Sequence, residues 1–457
     1  MWRREICVTI KTELQGKANR HLWMQAKGWD DMAASGEPMI IDRANGISVT
    51  DIEGNTWLDV NGGYSSVNIG YGRKQMADVV KNQMLELSYY PEQTTTFPNA
   101  LLAEKLAEIT PGDLSRVWPV SGGSEANEIA VRMARAYHVR RGDKGRYKII
   151  SRYGSYHGAT SGVAWLGRPA SLGLNQYEPG PLGMIYASQP NPFSCSWGGK
   201  SPSECAVLCA QDIENLIIQN GPDTIAAIIG EPITSSLGAV VPGQEYWPIV
   251  REICDRYGIL LIDDEVVCGF GRTGRMFGIE HFGVTPDIMT LAKGLGSSYV
   301  PIGATIVSTK VADAFAGKEN IFYAALTAGG HPVSTASALE NINIIEQEDL
   351  VEASAVKGRY FIEKLNGLSD KHSVIGDVRG IGLLVAIELV GEFTIDDEDL
   401  GGWLVNTFKK NGLLLRTLSS RVIQMSPPLC VTETEIDFII DALDATLTKL
   451  SSHTSKV

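Results

Sequence analysis

Nowhere does the 457-residue chain approach the roughly 20 uninterrupted apolar residues of a membrane span. Its first residues, MWRREICVTIKTELQGKANRH, are polar and mixed and lack the apolar core of a secretory signal, so a cytoplasmic location is expected. Positive charge is in short supply: 40 Lys and Arg against 53 Asp and Glu leave a formal charge of −13. That balance argues against nucleic acid or an anionic membrane as the main partner, because both recruit basic patches. Anionic small ligands stay open, since a local field can oppose the net charge. Cysteine is sparse and odd in number: Cys7, Cys195, Cys205, Cys209, Cys254, Cys268 and Cys430. No disulfide scaffold is expected in so long a chain. Cys195, Cys205 and Cys209 are neighbours in sequence, but they offer no C-x-x-C pair and no nearby His. Free thiols in a folded loop are the expectation there, with no metal site.

What the chain does have is alternation. Short apolar runs at Val117–Val120, Tyr147–Ile150, Ile225–Ile229, Ile259–Ile262 and Ile288–Leu291 read as strands. Between them lie helical patterns such as Glu125–Val139, where Ile129, Met133 and Tyr137 recur every four residues, and Glu245–Tyr257. Continuous apolar strands separated by helices imply an α/β fold with a mostly parallel sheet covered on both faces. Residues 39–60 alternate and turn at Asn45-Gly46 and Glu53-Gly54, like a small antiparallel meander. Beyond about residue 330, helices alternate with short strands such as Leu383–Leu389 and Val422–Met425. The expected division is an N-terminal segment 1–74, a large domain 75–325, and a C-terminal part 326–457 that joins the first segment in a smaller α+β domain.

One literal motif points to a dinucleotide. Gly269-Phe-Gly271-Arg-Thr-Gly274 is a G-x-G-x-x-G after an apolar strand. That fingerprint requires its glycines in the strand-to-helix turn itself, where the pyrophosphate meets the helix end. Here Asp263 to Cys268 intervene, and no helical pattern follows Gly274. A structural glycine loop is the better reading, and a nicotinamide-dependent oxidoreductase is kept only as the rival from another class.

The strand ends themselves carry more chemistry. Ligands of open parallel sheets bind beyond the carboxyl ends of the strands. Asp263 and Asp264, Glu231, Lys293, and the run Ser121 to Ser124 all follow such ends directly. Ser121-Gly-Gly-Ser124 at a helix start offers a phosphate cradle. Tyr156 in Tyr156-His157-Gly158 offers an aromatic face. A lysine at an apolar strand end can serve as a Schiff-base nucleophile, and a neighbouring acid can keep a pyridinium nitrogen protonated. Each feature alone has an ordinary structural explanation: a surface lysine, a helix cap, a packed tyrosine. Together they describe pyridoxal 5'-phosphate.

With these residues in place, the chain resembles the class III, or omega, aminotransferases, pyridoxal-phosphate enzymes of fold type I. The likeness rests on LDVNGGYSSVNIGYG (58–72), SGGSEANEIAVRMAR (121–135), SRYGSYHG (151–158), IIGEPI (228–233), LIDDEVVCGFGRTG (261–274), PDIMTLAKGLG (286–296), LTAGGHP (326–332) and RGIGLLVAIEL (379–389). Between about 145 and 305 it looks nearest to pyruvate-using members such as taurine–pyruvate aminotransferase. The resemblance implies that Lys293 holds the cofactor and shuttles the proton, and that Asp264 pairs with the pyridinium nitrogen. Val266 and Tyr156 would pack on opposite faces of the ring, with His157 and Glu231 supporting the site. Gly123 and Ser124 would bind the phosphate, and Thr327 would reach the phosphate of the neighbouring subunit of a homodimer, with a tetramer left open. Arg416 would receive a substrate carboxylate, beside a pocket wall of Tyr64 and Ser65.

Two positions depart from the family's usual pattern: Ser65 replaces a frequent tryptophan, and Gly122 replaces a serine in the phosphate loop. The implied activity is transamination from a primary amine, omega-amino acid or aminosulfonate to a keto acid, pyruvate first, by a ping-pong route. An aminomutase or a decarboxylating relative on the same cofactor stays open as an alternative.

Overall fold

A computed structural model describes residues 13–24, 28, 38–91 and 93–453; Cys7 and the rest of the extreme N-terminus lie outside the described residues. Strands β1 (Ile41–Asn45), β2 (Ser48–Asp51) and β3 (Thr56–Asp59) form the expected antiparallel meander. Helices α1 (Lys74–Glu86) and α2 (Phe97–Ile109) lead into the central sheet.

That sheet contains β4 (Leu114–Val120), β5 (Lys148–Arg152), β6 (Met184–Ala187), β7 (Ile225–Gly230), β8 (Leu260–Asp264), β9 (Ile288–Leu291) and β10 (Gly303–Ser308). Their spatial order is β4-β10-β9-β8-β7-β5-β6. Every residue of β7 and β8 is buried, as continuous apolar strands require when both faces are covered. All neighbouring pairs are parallel except those of β10, which runs against both β4 and β9. Two antiparallel steps restore the direction of β4, so the carboxyl ends of β4, β5, β7, β8 and β9 share one rim.

Helix α3 (Gly123–Arg140) buries Ala126, Ala130 and Ala134 beside Ile129, Met133 and Tyr137. The small alanines let its backbone lie close to the sheet, and each enclosed Ile or Met contributes about 1.5–3 kcal/mol. Helices α4 (Pro202–Asn220) and α5 (Tyr246–Tyr257) pack on each other. After the sheet come α6 (Pro332–Gln347) and α7 (Leu350–Lys371), then β11 (Ile375–Ile381) and β12 (Leu384–Leu389). The last elements are α8 (Asp397–Lys410), β13 (Leu413–Leu414), β14 (Arg416–Leu418), β15 (Val422–Met425) and α9 (Glu433–Ser451). β13 joins the N-terminal meander by pairing in parallel with β3, while β11, β12, β15 and β14 make a third sheet. Among the described residues, no helix is long and apolar enough to cross a membrane.

The glycines of residues 269–274 are structural. Gly271 and Gly274 sit at φ +86° and +81°, where only glycine is unstrained. A Cβ on Gly274 would lie 2.9 Å from Ala355 of α7, and one on Gly271 would lie 3.0 Å from Leu429. No α-helix starts at this loop; a short 3-10 turn follows at Gly278–Phe282. Asp287, placed where a ribose-binding acid would be, is committed instead to Arg251, Lys310 and the Leu261 N–H.

Candidate active site

The two aspartates at the end of β8 face opposite ways, as successive strand residues must. Asp264 Oδ2 lies 2.8 Å from Asn127 Nδ2 and 2.7 Å from His157 Nδ1, and its Oδ1 accepts from the Val266 N–H at 3.1 Å. A carboxylate oxygen can only accept, so His157 Nδ1 carries the proton of that bond. Asn127 is the hub: its amide also donates to the His157 carbonyl, and its Oδ1 accepts from Thr290 Oγ1. Asp263 turns into the core beside Glu265. Burial raises both carboxyls, that of Glu265 to about 8.

Lys293 follows β9 in a left-handed backbone conformation, φ +40°. The residue as a whole is half-buried. Burial first, and then the positive charge of Arg416, push its amine down to about 8, against the opposing pull of Glu231 and Asp264. Glu231, at the end of β7, is buried; Oε2 accepts from the Ser235 N–H at 3.0 Å. Burial raises its carboxyl, and Asp264 adds to the rise, while His157 and Arg152 oppose it. Tyr156 is 40% exposed, and burial together with Asp264 raises its phenol. Arg416 lies on β14 with its guanidinium 4.9 Å above the Tyr64 ring and 3.3 Å from Gln424 Oε1. Its Nε is buried without a partner. Together with Tyr153, Gly154, Ser236 and Leu237, Arg416 lines a cavity of about 870 Å³.

At the mouth of the helix, Gly122 leaves open space where a side chain would stand, and a Cβ on Gly123 would come within 3.0 Å of Val266. No side chain caps the start of α3, so its leading N–H groups remain available to an anion. Ser124 Oγ accepts from the Ala159 N–H at 3.1 Å, which ties the Tyr156–Gly158 loop to the helix start.

The fold thus gathers Lys293, Asp264, His157, Glu231, Tyr156, Val266, Gly123, Ser124, Arg416 and Tyr64 at one rim. Two further residues lie elsewhere: Thr327, expected to serve the neighbouring subunit, and Ser65. Thr327 is exposed and lines a different cavity with Tyr89, Trp118 and Tyr323. Ser65 is 1% exposed, and its hydroxyl lies 2.7 Å from Ser426 Oγ, so it turns into the protein and does not wall the pocket. The reason is local: Gly62, Gly63, Tyr64 and Ser65 all have φ between +53° and +62°, and this left-handed turn swings Tyr64 outward and Ser65 inward. Asn127 and Arg152 are residues the sequence reading missed. A polar side chain on the apolar face of α3 was the available signal for Asn127.

Pyridoxal 5'-phosphate fits these residues: a free helix start for phosphate, a buried acid for the ring nitrogen and an amine of lowered basicity for the aldehyde. His157 Nε2, buried with no protein partner, marks a further polar contact in the same place. Fold and site together define a pyridoxal-phosphate-dependent transferase of fold type I. The class-III aminotransferase pattern matches residues 32–447, and the chain belongs to that family. It is 37% identical to the putrescine–pyruvate aminotransferase of Pseudomonas aeruginosa, over 88% of each chain. It is also 37% identical to the taurine–pyruvate aminotransferase of Bilophila wadsworthia, over 96% of this chain and 97% of that one. A solved (S)-enantioselective omega-transaminase from Thermomicrobium roseum superimposes with a TM-score of 0.92 at 36% identity, covering 96% of this chain and 98% of that one.

Proposed function

We propose that this aminotransferase moves nitrogen from a primary amine, omega-amino acid or aminosulfonate to pyruvate, in two half-reactions at one site. The observation that carries the reading is the convergence of Lys293 and Arg416 on the rim that holds Asp264. Lys293 would hold the cofactor, with Asp264 at its ring nitrogen and Gly123 and Ser124 at its phosphate. When bound, pyridoxal phosphate withdraws electrons from the substrate carbon that loses its proton.

Lys293, part-neutral near pH 8, is the group suited to take that proton from one face and return it to another carbon. Val266, pressed against Gly123, and Tyr156 would grip the ring from its two sides. Asn127 and His157 hold Asp264 in place, so no reorganisation is needed when charge develops. Arg416 would bind the keto-acid carboxylate through a charge-assisted pair. A donor that lacks a carboxylate near its amine would leave Arg416 on Tyr64. Pyruvate as acceptor is supported by the two relatives whose names specify it.

A homodimer is part of this proposal. Thr327 lies away from Lys293 in its own chain, where it could serve a second copy. Phe97 and Tyr323 are 79% and 78% exposed, apolar surface that a second copy could cover. The division into 1–74, 75–325 and 326–457 belongs to the same reading, supported by the pairing of β3 with β13. A panel of amines, omega-amino acids and aminosulfonates, each with pyruvate and with 2-oxoglutarate, tests the proposal. Faster turnover with 2-oxoglutarate would refute the acceptor assignment.

A further inference from the structure

Cys195, Cys205 and Cys209 do not sit as scattered thiols in a loop. The latter two are on α4, one turn apart, and both are fully buried. Their i, i+4 spacing places both sulfurs on one helix face. Cys195, on the preceding loop, brings a third sulfur to the same point: the three Sγ atoms all lie within 4.8 Å of one another. Cys205 Sγ and Cys209 Sγ are 3.9 Å apart. Zinc–sulfur bonds of about 2.3 Å in a tetrahedron set sulfurs about 3.8 Å apart, whereas a disulfide would need about 2.05 Å.

Cys195 opens a tight turn. Its carbonyl accepts from the Gly198 N–H at 3.0 Å, and Gly198 takes φ +75°. This turn folds the Cys195–Gly199 segment back on itself beside the start of α4. Gly199 allows the close approach to α4: a Cβ there would stand 2.7 Å from the Cys205 nitrogen. The helix start is fixed independently, with Ser201 Oγ accepting from the Glu204 N–H and Glu204 Oε2 accepting from the Lys200 N–H. Among the described residues, no His, Asp or Glu joins the three sulfurs. The Gln189 carbonyl lies 3.4 Å from Cys209 Sγ.

We infer that Cys195, Cys205 and Cys209 bind one zinc ion as three thiolates, with water or the Gln189 carbonyl in the fourth position. Binding releases three thiol protons and changes no oxidation state. The site is separate from Lys293, but it braces a wall of the substrate cavity. Ser196, next to Cys195, and Gln189 both line the cavity that holds Arg416. Zinc would therefore fix the position of that wall without touching the reacting atoms.

The test uses holoenzyme expressed in zinc-supplemented medium and dialysed without chelator. Zinc is measured per chain in the wild type, Cys195→Ser and Cys209→Ser, with cobalt substituted in parallel. The expected result is about one zinc per wild-type chain, at least about tenfold less in either variant, and a thiolate-to-cobalt charge-transfer band only in the wild type. Cys195 lies on a half-buried loop, so its serine variant keeps the test valid if Cys209→Ser fails to fold. Zinc below about a tenth of an equivalent in the wild type would overturn the inference. So would undiminished zinc in both variants, or a thiol titration showing two of the three sulfurs joined as a disulfide. None of these readouts depends on the identity of the amino donor.

Discussion

His157 Nδ1 and Asp264 Oδ2 are 2.7 Å apart, in side chains that are 0% and 3% exposed. Asn127 donates to the same oxygen and the Val266 N–H to the other, so both carboxylate oxygens are held in place. Asp264→Asn keeps the shape but removes the charge that would hold the ring nitrogen protonated. Turnover should fall by about 10²–10⁴-fold. His157→Ala should cost less, about 10-fold, and should speed cofactor loss. Steady-state kinetics and cofactor release by gel filtration measure both. An Asp264→Asn enzyme with near wild-type kcat would show that the charge is unimportant.

Lys293 should react as a neutral amine well below the usual lysine range. Its amine is pushed down to about 8, chiefly by burial. A lowered amine pKa means the nucleophilic form appears as pH rises through 8. Competitive labelling of the cofactor-free protein with an amine-selective reagent, read by mass spectrometry, should give a midpoint near that value. A midpoint at the ordinary 10.5 would contradict the burial argument. Lys293→Ala should abolish turnover.

Arg416→Ala should weaken the keto acid more than a carboxylate-free amine. Loss of a charge-assisted pair costs about 1.5–3 kcal/mol, or roughly 10- to 150-fold in KM for pyruvate. The KM of a simple amine should change by less than about threefold. Equal losses would assign Arg416 a packing role on Tyr64.

Gly274→Ala tests the glycine loop. The alanine would carry a left-handed backbone and press on Ala355. A loss of about 2–5 kcal/mol in urea unfolding is expected from strain and overpacking together. A variant as stable as the wild type would remove the structural explanation of that motif.

Much of this was legible in the sequence because parallel strands declare themselves. Ile225–Ile229 is an unbroken apolar run and Ile288–Leu291 is interrupted only by Thr290, so the residues just after both are expected at one rim. Other features depend on tertiary geometry. Strand β10 runs antiparallel, and nothing in Gly303–Ser308 marks its direction. Asn127 reads as an ordinary helical residue until α3 is docked and its amide reaches Asp264. The left-handed turn at Gly62–Ser65 decides which of Tyr64 and Ser65 meets the pocket, and two glycines before a tyrosine do not announce it. The three cysteines missed familiar spacing rules because their third member arrives from a loop folded back on α4.

The most direct test of the central claim is nitrogen transfer in two separate steps. Enzyme loaded with pyridoxal phosphate is first given an amine donor alone, freed of small molecules, and then given pyruvate. About one carbonyl product per active site is expected in the first step and a matching amount of alanine in the second. Donor consumption without alanine in the second step, or no product until both substrates are present together, would contradict the claim.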